Sequence, residues 1–142
     1  MVGISKRVEY ALIAVQHMDE DRDRLVSSRD LSEHYALPAG LIAKILQRLA
    51  AAGLLKSELG AGGGYRLVRD PDSISFLELT EAVEGPARMA ACDTVGGGDC
   101  ERRDTCTVAG PVHTLSARIT GLFADTSVGS LLRSTSEKGA SV

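Results

Sequence analysis

Residues 28–53, SRDLSEHYALPAGLIAKILQRLAAAG, decide the fold of this chain. Just before and inside this stretch, Ser27 and Asp30 form a Ser-x-x-Asp capping signature, which predicts that a short helix begins here. Pro38 ends that helix, because proline is tolerated in a first helical turn but not in a helix interior. A second helix is predicted to follow at once. Two short helices joined by a tight turn have the layout of a helix-turn-helix.

The second helix is predicted over residues 39–52, with Gly53 just after its end. Its apolar residues recur at helical spacing, and the predicted inward face consists of Leu41, Ile45, Leu46 and Leu49. Its outward polar residues are Lys44, Gln47 and Arg48. The second helix of a helix-turn-helix lies in the major groove of DNA, so these three side chains are candidate DNA contacts.

Two strand-like runs follow at residues 54–57 and 65–68, and the glycine-rich tip GAGGG at residues 60–64 joins them. A hairpin directly after a recognition helix is typical of the wing of a winged helix. Its glycines permit close approach of the backbone to a phosphate or into a minor groove. A nucleotide-binding P-loop is the rival interpretation. It fails because no Lys-Ser/Thr follows the glycines, and a strand rather than a helix comes next.

Further helices flank this unit and are predicted over residues 5–18, 75–83 and 111–124, with a last short helix after Ser127. Ser5 is the predicted N-cap of the first of them, and Ser75 and Glu78 form a capping box for the second. The long helix that Pro111 begins has an apolar face made of Leu115, Ile119, Leu122 and Phe123. A second copy of the chain is the simplest partner that would bury that face. A dimer would also present two recognition helices to a pseudo-palindromic site.

The predicted fold is therefore mainly α with a small β-hairpin wing: a winged helix-turn-helix plus a long dimerisation helix. The predicted divisions are a DNA-binding domain at 1–85, a cysteine-containing loop at 86–110, the dimerisation and C-terminal helices at 111–133, and a disordered tail at 134–142. No apolar run approaches the roughly 20 residues that span a bilayer. The N-terminus lacks a signal-peptide pattern, so a cytoplasmic protein is expected.

Charge is distributed unevenly along the chain, whose formal net charge is −3. Residues 1–70 carry 10 Lys and Arg against 9 Asp and Glu, whereas residues 71–142 carry 6 against 10. The whole chain thus lacks the basic excess of a non-specific nucleic-acid binder. An anionic partner is expected to meet the N-terminal half.

Residues 92–106, CDTVGGGDCERRDTC, hold all three cysteines at C-x7-C-x5-C spacing. A polar, glycine-rich segment buries little apolar surface, so packing does not explain the thiols. In a reducing compartment, an odd number of clustered cysteines is typical of metal or redox chemistry rather than of a disulfide framework. An iron–sulfur cluster or zinc is the expected occupant, and each normally takes four protein ligands. The cysteines supply three, which leaves the fourth open.

Three segments carry a resemblance: ISKRVEYAL from residue 4, DLSEHYALPAGLIAKILQRLAAAGLL from residue 30 and GAGGGYRLVRDPDSISFLELTEAVEG from residue 60. Together with the three-cysteine segment, they resemble the IscR/NsrR family of bacterial winged-helix regulators over residues 3–133. The resemblance implies a homodimeric transcription factor, often a repressor, that binds double-stranded DNA. Its DNA binding would be switched by an iron–sulfur cluster, 2Fe-2S or 4Fe-4S, that senses nitric oxide, redox state, iron or cluster supply. Some members lack a cluster and respond to other signals.

The resemblance also implies metal ligands, and the three thiols it assigns are Cys92, Cys100 and Cys106. The branch that senses cluster supply, called here the cluster-supply branch, takes its fourth ligand from a His three residues after the last Cys, where this chain has Ala109. Glu9 matches an Asp that the nitric-oxide branch supplies from the first helix of the other subunit. A redox-sensing branch uses a Glu at this position together with a His on the second helix, which His34 matches. The alternatives are a surface ion pair for Glu9 and a surface or partly packed imidazole for His34.

In the same frame the candidate DNA contacts are Ser5, Lys6, Ser28, Lys44, Gln47, Arg48, Gly62, Gly63 and Gly64. The recognition helix has mostly small or apolar residues where the cluster-supply branch has polar readers, so Lys44 is the best base-edge candidate. Leu59 stands where that branch has an Arg that enters the minor groove. A different operator sequence is therefore expected.

These residues are compatible with three functional classes. The favoured one is a cluster-sensing dimeric regulator, and the alternative is a regulator of the same fold whose cysteines act as a thiol switch or hold zinc. An enzyme with a metal at the three cysteines is the third. No general acid/base pair, nucleophile constellation or cofactor loop accompanies the cysteines, so no enzyme is expected.

Overall fold

The structure is a computed structural model that describes residues 4–87 and 105–139, with side chains described as far as residue 134. In these ranges the elements are α1 (Lys6–Glu20), α2 (Ser28–Tyr35), α3 (Ala39–Ala51), β1 (Leu55–Glu58), β2 (Gly64–Leu67), α4 (Phe76–Glu84), α5 (Ala109–Asp125) and α6 (Val128–Gly139). A single 3-10 turn at Pro71–Ser73 precedes α4. The predicted mainly helical fold with a hairpin wing is confirmed.

Local capping explains where α2 and α4 begin. The Asp30 backbone N–H donates to Ser27 Oγ at 3.0 Å, and the Ser27 N–H donates to the Asp30 carboxylate at 2.9 Å. Ser75 and Glu78 form the same reciprocal pair in front of α4, with both distances at 3.0 Å. Each box satisfies two N–H groups that a helix start otherwise leaves without partners. Both predicted capping boxes are confirmed.

The core lies beneath α1, α3 and α4, and almost all of its members come from the first 83 residues. The buried residues of α3 are Ile42, Ile45, Leu46 and Leu49. Leu41, predicted to face inward, is only partly buried and packs at the edge of the core. Ile42 takes the inward position because it continues the i, i+3, i+4, i+7 stripe of the other three, from which Leu41 lies one residue out of phase.

The wing is an antiparallel hairpin in which Leu55 pairs with Leu67 and Glu58 pairs with Gly64. Its second strand is also joined to the entry of α2, because Val26 and Tyr65 exchange two backbone hydrogen bonds of 2.8 Å. A Cβ at Gly64 would lie 2.8 Å from the Val26 carbonyl, so only glycine fits this close approach. The base of the wing is therefore held against the helix-turn-helix.

The C-terminal helices differ in extent from their predictions. Helix α5 begins at Ala109, two residues before Pro111, because proline within a first helical turn needs no N–H partner. Helix α6 continues to Gly139, so residues 134–139 are helical where a disordered tail was predicted. No Pro or Gly interrupts the chain between Leu131 and Lys138. Among the described residues, no helix is both long and apolar enough to cross a membrane.

Candidate DNA-binding surface and ligand residues

The outer face of α3 presents Lys44 and Gln47, both exposed and one helical turn apart. Lys44 has no hydrogen bond or ion pair with any residue that the structure describes. Gly40, which has no side chain, and Ala51 are exposed on the same face, so a partner can approach the helix closely there. This face can bring an unpaired cation and an amide to an anionic partner.

Arg48, the third candidate DNA contact on α3, is hydrogen-bonded within the described part of the chain instead of being free there like Lys44. Its Nη1 donates to the backbone carbonyl of Val83, in the last turn of α4. The Ser5 hydroxyl donates to the carboxylate of the next residue, Glu84. The recognition helix and the start of α1 therefore both contact the last turn of α4. These contacts were not predicted, because the paired residues are 35 and 79 positions apart and no local pattern marks them.

The remaining side chains predicted to contact DNA lie at helix starts. Ser5 accepts from the Val8 N–H and thereby caps α1, as predicted. Lys6 Nζ lies 3.0 Å from the Glu9 carboxylate; the Lys6 side chain is largely exposed and that of Glu9 is half-exposed. A surface pair of this kind contributes about 0–1 kcal/mol, so Lys6 can exchange it for a phosphate. Ser28 opens α2 and is half-buried beside the base of the wing.

The tip of the wing is a tight turn without charge. Gly60 and Gly62 have φ values of 105° and 78°, and the Gly63 N–H donates to the Gly60 carbonyl at 2.9 Å. A Cβ at Gly63 would lie 2.4 Å from the Glu58 carbonyl oxygen. These positions therefore require glycine. Leu59 beside them is 98% exposed.

Of the predicted ligands, Cys92 and Cys100 lie outside the described residues. Cys106 is described; it is partly exposed and stands two residues before the N-cap of α5, Val108. Glu9 is half-exposed and paired with Lys6, as its alternative interpretation predicts. Within residues 4–87 and 105–139, no three His, Cys, Asp or Glu side chains come together as a metal site.

His34 belongs to a ring cluster between α1 and α2. Its ring centroid lies 5.3 Å from that of His17 and 4.6 Å from that of Tyr35. His17 Nδ1 is 2.9 Å from the Tyr35 hydroxyl oxygen. Glu9 precedes His17 by eight residues on α1, which corresponds to about 12 Å along the helix axis. The structure therefore does not bring Glu9 and His34 together within this chain.

Most residues of helix α5 are exposed or only partly buried. Among its residues only Ser116 is buried, and Phe123 packs against Phe76 with the ring centroids 4.8 Å apart. Leu115 and Leu122, which are seven residues apart, remain 59% and 63% exposed. The apolar face predicted on this helix is thus divided: Phe123 packs against the core of the chain, whereas the two leucines do not.

Comparison with known proteins decides the family. Residues 4–134 match the family Rrf2, described as an iron-dependent transcriptional regulator. The chain belongs to the Rrf2 family. It is 30% identical over 131 residues to the HTH-type transcriptional regulator IscR of Photobacterium profundum, covering 92% of this chain and 75% of that protein. The recognised resemblance is thereby confirmed, and the chain is a DNA-binding transcription regulator, not an enzyme.

Solved structures show the same fold. The structure of CymR, the global cysteine regulator of B. subtilis, is 22% identical, with a TM-score of 0.69 over 94% of this chain and 98% of that one. The structure of IscR of T. potens is 20% identical, with a TM-score of 0.70 over 96% and 90% of the two chains. The Rrf2 winged helix-turn-helix is therefore the architecture of this chain.

Proposed function

We propose that this Rrf2 protein is a homodimeric repressor whose affinity for DNA is switched by an iron–sulfur cluster. The cluster would sense nitric oxide, redox state, or the supply of iron or clusters. The observation that carries the proposal is the hydrogen bond from Arg48 of the recognition helix to the last turn of α4. Eight residues after Glu84, which ends that turn, the chain reaches Cys92. A structural change at Cys92 would therefore be separated by only eight residues of chain from the end of α4, whose last turn contacts Arg48 of α3.

The donor set fits such a cluster. Thiolates are the usual protein ligands of iron–sulfur clusters, and Cys92, Cys100 and Cys106 would hold it. Glu9 is free to serve as the fourth ligand, because its described contact is a weak surface pair. When bound, the cluster supplies a redox-active, nitric-oxide-reactive centre. A carboxylate is a harder, weaker ligand for it than a thiolate, which suits a sensor.

The exposed leucines of α5 support the homodimer. Leu115 and Leu122 form an apolar strip on a helix that buries only Ser116. An exposed strip of this kind on a soluble protein marks an interaction surface. A two-fold dimer would place two copies of α3 on a pseudo-palindromic operator, with half-sites one helical turn of DNA apart.

The test is an anaerobic visible spectrum, with iron and acid-labile sulfide counted per chain, on the wild type and on Glu9→Ala, His34→Ala and Glu20→Ala. The proposal expects near-equal iron and sulfide, and a spectrum that Glu9→Ala changes. Glu20→Ala, an exposed carboxylate at the other end of α1, is the control and should change nothing. A change with His34→Ala alone would assign the fourth ligand to His34. A colourless protein without sulfide after anaerobic reconstitution would exclude the cluster.

One observation favours a second candidate, a thiol switch or zinc site on the same frame. Cys106 is partly exposed, and an exposed thiol is open to oxidants and to metal. The fold is shared with CymR, the global cysteine regulator of B. subtilis. This candidate predicts a protein without sulfide whose DNA affinity changes on treatment with peroxide and returns with dithiothreitol. Bound zinc without sulfide would identify the metal form.

A further inference from the structure

Leu59 is the most exposed of the large apolar side chains in the described residues, at 98%. Single exposed leucines are common on protein surfaces and need no explanation by themselves. The position of this one sets it apart, because it stands at the first residue of the wing tip, immediately after β1. It is the only large apolar side chain among residues 59–64, which form the tip of the hairpin.

The wing holds Leu59 in a defined place. At the tip, the Gly63 N–H donates to the Gly60 carbonyl, and a Cβ at Gly63 would collide with the carbonyl of Glu58. At the base, the two hydrogen bonds between Val26 and Tyr65 join the hairpin to the entry of α2. A side chain on such a support is positioned before it meets a partner, which lowers the entropic cost of binding.

The wing offers its partner no free cation at the tip. Residues 59–64 carry no charged side chain. In the strands, Arg66 Nε lies 3.6 Å from the Glu58 carboxylate, so this cation is paired across the hairpin. What remains at the tip is backbone groups, the Ala61 methyl and one branched apolar side chain, whereas the exposed cation Lys56 lies nearer the base of the hairpin. Proteins that bind the minor groove insert leucine and similar side chains as wedges between base steps, which unstacks and kinks the DNA.

We propose that Leu59 is an apolar minor-groove contact that reads the deformability of the base step beneath the wing. The inference rests on the DNA-binding function and is independent of the cluster. Flexible pyrimidine–purine steps unstack at the lowest cost, so the preferred sequence at this position should be TA or CA/TG. Because leucine displaces no counterions, its contribution to affinity should not depend on salt.

The experiment begins with duplexes that the wild-type full chain selects from a random-sequence library. Dissociation constants are then measured against salt concentration for the wild type, Leu59→Ala, Leu59→Arg and Val68→Ala. Leu59→Ala should weaken binding by roughly three- to thirtyfold with an unchanged salt slope. Leu59→Arg should steepen the slope by about 0.9 for each wing, as expected for one new phosphate contact. Val68 is a half-exposed apolar residue just beyond β2, and its truncation should leave binding unchanged.

A second readout follows the base step itself. With 2-aminopurine placed beneath the wing, wild-type protein should raise its fluorescence by unstacking the step, and Leu59→Ala should raise it much less. Equal affinity and equal fluorescence for the two proteins would overturn the proposal. Unchanged DNA binding by Leu59→Ala with lost repression in a purified transcription assay would overturn it too, because Leu59 would then contact a protein. A selection that enriches no sequence would overturn the DNA-binding function itself, an outcome distinct from the others.

Discussion

Helices α3 and α5 have similar apolar stripes in sequence and opposite surroundings in the structure. In α3 the stripe is buried, with Ile42, Leu46 and Leu49 at 0–1% exposure. Its outer face is polar and carries Lys44 and Gln47. In α5 the only buried residue is Ser116, and the exposed face carries leucines. The periodicity predicts a helix in both cases, but the exposed faces differ in chemistry: that of α3 carries a cation and an amide, and that of α5 carries leucines.

The largest expected effect is on association through α5. Substituting Leu115→Glu together with Leu122→Glu should weaken dimerisation by about 3–6 kcal/mol, since burying one leucine contributes about 1.5–3 kcal/mol. The fold of each protomer should persist, because both side chains are exposed within it. Sedimentation equilibrium measures the dissociation constant, and Val68→Glu is the control at an exposed apolar position outside α5. A dimer that survives the double substitution would place the interface elsewhere.

A substitution on the buried face of α3 should instead lower the stability of the fold. Leu49→Ala removes a fully buried side chain and should lower the free energy of unfolding by about 2–5 kcal/mol. Gln47→Ala, on the outer face of the same helix, should change it by less than about 0.5 kcal/mol. Urea denaturation in the Leu115→Glu/Leu122→Glu background separates folding from association. Equal losses for the two variants would contradict the assignment of faces.

A substitution on the outer face of α3 should lower the affinity for DNA. Lys44→Ala should weaken binding to the selected operator by about 1–3 kcal/mol if Lys44 reads a guanine edge. Arg118→Ala, which removes an exposed cation from α5, is the matched control. Titrations against matched and mismatched duplexes distinguish the two roles of Lys44. A uniform loss over all sequences, with a shallower salt slope, would make it a phosphate contact.

The smallest expected effect concerns how the helices begin. Helix α4 starts at a capping box, whereas α3 and α5 start at Pro38 and Val108 without side-chain caps. Hydrogen bonds from Arg69 and from the Ser75 backbone lower the pKa of Glu78 below its usual 4.5. The ionised form is therefore favoured by folding, so its contribution is present above about pH 4.5 and is lost as the pH falls through the folded-state pKa.

Glu78→Gln should accordingly lower the free energy of unfolding at pH 7 by about 0.5–1 kcal/mol, a value kept small because the carboxylate is half-exposed to solvent. The difference from wild type should be smaller at pH 3, because the stabilisation by the charge is lost as the pH falls from 4.5 through the lowered folded-state pKa of Glu78. Urea denaturation at the two pH values measures it, with Glu20→Gln as the control. A deficit of the same size at both pH values would show that charge does not support this helix start.

Much of the fold was predictable because its signals are local. A capping box spans four residues, so Ser27-x-x-Asp30 and Ser75-x-x-Glu78 placed the starts of α2 and α4 without any tertiary information. The glycines of the wing were equally readable, because tight turns restrict the residues that can form them. The candidate site was less predictable: Lys44 is exposed and unpaired as expected, whereas Arg48 contacts Val83.

By itself, the sequence determined the order of helices and strands, the glycine-rich wing and the three clustered thiols, because each depends on neighbours a few residues apart. Only the tertiary structure decided which side chains meet across the chain. It joined Arg48 and Ser5 to the end of α4, packed His34 against His17, and left the leucines of α5 exposed. The physical reason is that burial and long-range hydrogen bonds depend on how complete helices pack, and periodicity shows that a face is apolar without showing what covers it.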